Sequence, residues 1–330
     1  MNRIWLVVAL ALAAVGCATG RPAPEPGAAP TPETPAPQTT QPKPDITLNL
    51  DAPTVLGDLV STLADTSGGG IVVMNGIEYV NVAPRNWRKT PFERLIKDIA
   101  GPANLKVQEN DSYFFLYFSG YEALESVSLE GRLDPAFAST TAAIGFGYRT
   151  TVFEALAFMS SSLGITLLAD QVIGDAQLGA LNLAESPLHV CLAALLKSAR
   201  VPAEAFDVQS TPEYVFLHAK SNPPRETLLN PLELTPAQTE FLNQKVTATL
   251  PSTPINISAV GKLADALPAL SSQLGVEVTA QPGLEQLPVE PAVFQNVTVR
   301  TLLDLMVRQW PVPQFGYRVD GNKIIIQRRP

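Results

Sequence analysis

The chain has 330 residues, 46% hydrophobic and 16% charged, with a formal net charge of −8 and only two cysteines and two histidines. An acidic balance of that size argues against a nucleic-acid partner, because a polyanion is held by clustered Lys and Arg. Two cysteines supply neither a disulfide framework nor a Cys/His metal cluster, so stability must come from packing.

The first residues read as an export signal rather than as fold. Arg3 supplies a positive start, and Ile4 to Ala14 form an apolar stretch too short for an ordinary membrane span. Ala14-Val15-Gly16-Cys17 resembles the lipobox of bacterial lipoproteins, in which small residues admit the peptidase and the Cys thiol takes the lipid. Ala14 stands where Leu is commoner. The expectation is a leader over residues 1–16 and a lipid on Cys17; the alternative is a soluble periplasmic protein cut nearby, for instance after Ala18. The absence of Asp next to Cys17 resembles an address for the periplasmic face of the outer membrane. From Arg21 to Asp45, nine of twenty-five residues are Pro, a composition that cannot bury a core and favours polyproline II. Residues 17–45 are expected to be a disordered tether, of which the Pro-rich stretch 21–45 would reach roughly 75 Å at about 3.1 Å per residue if fully extended.

The rest of the chain repeats itself. A first helix is expected over residues 54–65, 151–163 and 261–274, each running into a strand, at Ile71-Val72-Val73, Ile165 to Leu168 and Val276-Glu277-Val278. Gly164, Gly275 and the run Gly68-Gly69-Gly70 close these helices. An opening strand is expected before each, near residues 46–50, 143–146 and 246–250. After the post-helix strand comes a connector with a short extended piece, at residues 79–82, 181–183 or 292–294. A second helix follows, with Thr90, Ser186 and Thr298 as hydroxyl caps and Glu93 completing a capping box. On that helix Leu95, Cys191 and Leu303 share one face, which makes Cys191 a core residue.

Each copy ends in a hairpin. Leu105 to Tyr117, Phe206 to His218 and Phe315 to Gln327 align without a gap, with Asn110-Asp111, Thr211-Pro212 and Asp320-Gly321 at the turn. The expected fold class is α+β: three tandem β-α-β-β-α-β-β modules with helices packed on small sheets, at residues 46–118, 143–219 and 246–330. Linkers at 119–142 and 220–245 are long enough to hinge or to pack as arms.

This order, carried best by Leu156 to Ala219 and Leu267 to Gln327, resembles the secretin and TonB short N-terminal domain family. The resemblance implies periplasmic modules that contact other proteins and do no chemistry. It transfers no site residue, and no run of amphipathic barrel strands follows for a pore or receptor. The partners it implies are a secretin or other envelope proteins, with self-association as a further option and the lipid anchor as the membrane contact.

No catalytic, cofactor-binding or metal-binding residue is expected. His189 and His218 stand without a ligand cluster, Gly145-Phe146-Gly147 lacks the third glycine of a dinucleotide fingerprint, and no nucleophile or zinc motif occurs. Tyr113, Phe115 and Tyr117 form an interaction-strand candidate in module 1, set against burial under a packed linker. Arg85, Arg88, Lys89, Arg94 and Lys97 gather around the second helix of module 1 and read as a solvated face, with an anionic partner site as the alternative. The expected function is non-catalytic: protein–protein contact in a secretion or pilus-type envelope assembly. Binding of a cell-wall glycan or exported polymer in the inter-module grooves, and a signalling relay like the receptor N-terminal domain, are the alternatives.

Overall fold

The computed structural model describes residues 45–250, 261–311 and 315–329. Cys17, the leader and most of the Pro-rich tether lie outside the described residues. The remainder is α+β and consists of three copies of one unit.

In module 1 the opening strand Asp45–Leu50 pairs antiparallel with Arg85–Pro91, the strand that leads into the second helix. The same pair recurs as Thr141–Phe146 with Leu181–Pro187 and as Lys245–Leu250 with Ala292–Thr298, and a bulge interrupts the register in all three. The first helices, Leu56–Ser67, Val152–Leu163 and Leu263–Leu274, each lead into a post-helix strand, at Gly70–Val73, Thr166–Ala169 or Glu277–Ala280. That strand lies parallel to the second strand of the closing hairpin. The hairpins are Leu105–Glu109 with Tyr113–Phe118, Phe206–Thr211 with Tyr214–Ala219, and Phe315–Asp320 with Lys323–Arg328. The alternating apolar residues of the central hairpin strand are what bury its inward face.

Gly68, Gly164 and Gly275 end the first helices at φ of 62°, 68° and 68°, a left-handed turn that an L side chain resists. In modules 2 and 3 a helical serine then latches helix to strand. Ser160 Oγ accepts from the Leu167 amide, and Ser271 Oγ from the Val278 amide, both at 2.9 Å.

The second helices differ from expectation at their starts. Only Thr298 caps, accepting from Thr301 N at 3.0 Å. In modules 1 and 2 the strand runs on to Pro91 and Pro187, which occupy the cap position, so Thr90 and Ser186 turn their hydroxyls back to strand carbonyls. Glu93 makes no capping box; it pairs with Lys97 one turn on. The pre-helix strand of module 1 also lies later than the expected extended piece, at Arg85–Pro91. A two-residue strand, Asn81–Val82, precedes it.

Both linkers pack as arms. Leu124, Val127, Leu129 and Phe137 of the first are buried, and its Asp134 amide donates to Ser210 Oγ at 2.8 Å on the first hairpin strand of module 2. The second runs beside the matching strand of module 3: Leu229 N donates to the Tyr317 carbonyl at 2.8 Å, and Tyr317 N to the Thr227 carbonyl at 2.9 Å. One hydrophobic core spans modules 1 and 2, while module 3 has its own, into which module 2 inserts Leu168 and Phe216. No helix among the described residues is long and apolar enough to cross a membrane.

Replacing Gly275 by Ala is expected to cost about 1–2 kcal/mol through the left-handed backbone alone, since open space surrounds the position. Urea unfolding of Gly275→Ala beside the wild type measures it.

Candidate functional site: the seams between modules

The described residues concentrate their buried polar chemistry where one module meets the next. At the first seam the post-helix strand of module 1 pairs antiparallel with the pre-helix strand of module 2, Val72 opposite Leu181 and Ile71 opposite Asn182. This fuses the strands into one five-stranded sheet. Beyond the ladder, Val73 N donates to the Ala180 carbonyl and Asn75 N to the Ser198 carbonyl, both at 2.8 Å. Ser198 ends the second helix of module 2. One residue earlier, Lys197 is buried; its Nζ donates to Gln108 Oε1 at 2.9 Å and to the Glu125 carbonyl at 3.2 Å. The ammonium lies 5.7 Å from the centre of the Tyr113 ring and 5.6 Å from that of Phe115. Burial pulls its pKa down to about 8, with Glu125 opposing.

The second seam repeats this arrangement residue for residue. Strand pairing and helix starts align Lys197 with Arg308, Ser198 with Gln309, Gln108 with Gln209, Phe115 with Phe216 and Asn75 with Gln171. Gln171 N donates to the Gln309 carbonyl at 2.8 Å, Arg308 Nη1 donates to Gln209 Oε1 at 2.7 Å, and the guanidinium lies 4.5 Å from the centre of the Phe216 ring. A cation at the end of one module's second helix therefore clasps a glutamine and an aromatic on the hairpin of the module before. Aromatic faces attract a desolvated cation by about 0.5–2 kcal/mol, and the glutamine satisfies an N–H that burial would otherwise orphan.

The two seams differ in closeness. At Gly179, a Cβ would fall inside the van der Waals shells of Val73 O, Met74 C and Asn75 N, so only glycine lets the backbones meet. The equivalent residue in module 3 is Glu290. There no strand ladder forms among the described residues; beside the Gln171–Gln309 main-chain bond, Gln295 N donates to Thr166 Oγ1 at 2.8 Å. Glu290 is only 6% exposed and has Gln171, Asp175 and Glu154 of module 2 around it; burial first, then the two carboxylates, push its pKa up to about 7.

The outer ends lack the clasp. Module 1 has Gly101 where the later helices carry Lys197 and Arg308. Module 3 has Arg318 in place of the glutamine, Ile325 in place of the phenylalanine, and Pro282, with no N–H, in place of Asn75 and Gln171.

Sequence-derived candidates fall differently. Tyr113, Phe115 and Tyr117 are buried in a strand flanked on both sides, so they present no free edge; Tyr113 and Phe115 floor the Lys197 clasp, and Tyr117 stacks on Phe115 and donates to Glu125. His218 is buried, its ring stacked on Phe216, and His189 sits half-buried on the second helix of module 2. Cys191 is buried, and desolvation pushes its thiol up to about 12, so it is core and not a nucleophile. Arg85 pairs with Asp98 at 3.0 Å, while Arg88 and Lys89 project from an exposed strand. Among the described residues no group of three His, Cys, Asp or Glu side chains has metal-holding geometry. Comparison with family models, curated proteins and solved structures gave no match to the chain.

Two measurements check the seams. Gln108→Leu leaves the Lys197 ammonium short of an acceptor and is expected to destabilise by about 1–3 kcal/mol. Lys197→Met combined with Gln108→Leu should recover most of that loss in urea unfolding. For Glu290 the folded pKa exceeds the unfolded one, so the folded state holds the extra proton, and stability falls as pH rises from about 4.5 towards 7. Glu290→Gln is expected to flatten this fall, gaining on the order of 2–3 kcal/mol at pH 8 and little at pH 4.5, read from denaturation midpoints across pH.

Proposed function

We propose that the chain is a non-catalytic outer-membrane lipoprotein, anchored by a lipid on Cys17, whose modules make protein–protein contacts in a secretion or pilus-type envelope assembly. The partner in this reading is a secretin or another envelope protein on the periplasmic face. What supports it is the repeated seam, because the most elaborate polar arrangement among the described residues serves to dock one module on another. Module 1 also leaves one docking edge open. Among the described residues its strand Arg85–Pro91 pairs with Asp45–Leu50 alone, whereas the equivalent strands of modules 2 and 3 also meet the module before. An unpaired edge is a template for a further strand, and Arg88 and Lys89 give it a positive character suited to an acidic one.

Crosslinking in the native envelope followed by affinity recovery is expected to yield a defined envelope partner, and recovery of monomer alone would count against the reading. Cys17→Ala is expected to abolish incorporation of labelled fatty acid and release the protein from membranes; retention of that variant would remove the anchor.

A further inference from the structure

The second joint carries a charge conflict that the first does not. Where Gly179 lets two backbones meet, module 3 presents the buried side chain of Glu290 to three side chains of module 2. Gln171 and Asp175 come from the short helix Gln171–Gly174 and its end, and Glu154 from the first helix, Val152–Leu163. Among the described residues no cation pairs with Glu290, Asp175 or Glu154. Burial first, then Asp175 and, more weakly, Glu154 disfavour the ionised form of Glu290, against a hydrogen bond from Gln171. Burial holds the two facing carboxyls above their ordinary range as well. Protonated, Glu290 is a neutral group at a closed interface. Ionised, it is one of three carboxylates that the joint holds together.

The same joint is also the less sealed of the two. In the first, the Ser198 hydroxyl donates to the Val73 carbonyl at 2.9 Å. Gln309 takes that place in the second, and its side-chain amide is fully buried with neither Nε2 nor Oε1 hydrogen-bonded. Water admitted to the joint hydrates that amide and the Glu290 carboxylate together, so opening relieves both. The Arg308 clasp and the inserted Leu168 and Phe216 oppose opening and set how rare the open state is. The covalent link runs from Ala219, the end of the module 2 hairpin, to Thr227, whose carbonyl accepts from Tyr317 N in module 3. Residues 220–226 between them, with Pro223-Pro224 in their midst, keep module 3 attached when the joint opens.

We propose that the second joint is a proton-operated hinge: Glu290 in its acid form keeps module 3 docked on module 2, and its ionisation shifts the joint towards an open state while the first joint stays closed. The sign follows from where the proton is held. Docked, the carboxyl is pushed up to about 7; open to water, it returns to the ordinary 4.5. The open fraction is therefore lowest at or below that ordinary value, grows by up to about tenfold per pH unit above it, and levels off beyond about 7. The hinge acts within the chain and stands independently of the outward docking role, so either can fail without the other.

Amide hydrogen exchange of the full chain at about pH 5 and about pH 7.5, corrected for the intrinsic rate of free amides, reads the opening constant even where the open state is rare. That window stops short of the pH near 8 at which Lys197 of the first joint titrates. The amides of Gln171 and Gln295 donate across the second joint, to the Gln309 carbonyl and to Thr166 Oγ1. Their protection is expected to fall roughly 50-fold between the two conditions. The amides of Val73 and Asn75 at the first joint, and of Gln281 inside module 3, are expected to hold theirs. Glu290→Gln is expected to abolish the fall at Gln171 and Gln295. Asp175→Asn removes one facing charge and is expected to make the fall smaller; it carries the comparison if the first variant does not fold. Unchanged protection of Gln171 and Gln295 in the wild type overturns the hinge. So does a matching loss at Val73, Asn75 or Gln281, which marks wider unfolding instead of release of module 3, and so does an undiminished fall in Glu290→Gln.

Discussion

A buried cation on the last turn of a helix organises this molecule. Lys197 and Arg308 are placed where burial is costly, and each is made tolerable by groups of the preceding module, joined for Lys197 by the Glu125 carbonyl of the linker. Neither module of a pair can satisfy the clasp alone. Docking is therefore specified by a polar requirement laid over an apolar contact, and a slipped or reversed arrangement would strand a charge in the interior. The glutamine fixes position, the aromatic ring fixes the side of approach, and the amide of Asn75 or Gln171 fixes the depth.

On this common plan the two joints have been tuned differently. Gly179 lets two backbones meet, and the result is a shared sheet and a shared core across modules 1 and 2. Glu290 takes the same place in module 3, and the second joint, without a strand ladder, rests on the Gln171–Gln309 main-chain bond and side-chain contacts beside a separate core. The molecule is thus a fused pair with a third unit attached, although its sequence repeats three times.

Local order was largely legible in the sequence. The hairpins, the first helices and the glycines that end them rest on short-range rules of alternation, helical spacing and positive φ, and they lie within a few residues of the expected places. The second-helix caps were misjudged because Pro91 and Pro187 end a paired strand, a constraint that comes from residues 45 and 141 far away in sequence. Arg85–Pro91 was hidden because only Trp87 of its seven residues is buried, leaving no alternation to detect. The aromatic run at Tyr113–Phe118 was visible, but whether a strand lies at the edge or in the centre depends on its neighbours. The clasp was the least legible feature. Lys197 reads as an ordinary helix-end lysine, and its meaning emerges only when it is aligned with Arg308 and their glutamines are seen to align as well.

The missing halves of the clasp at the two ends bear on how such a chain can grow. Module 1 offers the glutamine and ring but no cation, and module 3 offers the cation but carries Pro282, Arg318 and Ile325 where a successor would need its partners. Only module 2 holds both halves. A tandem duplication of module 2 would inherit a working joint on either side, whereas a duplicated end module would meet its copy with one half absent. Of the three copies, module 2 alone could be repeated with both halves of the joint kept.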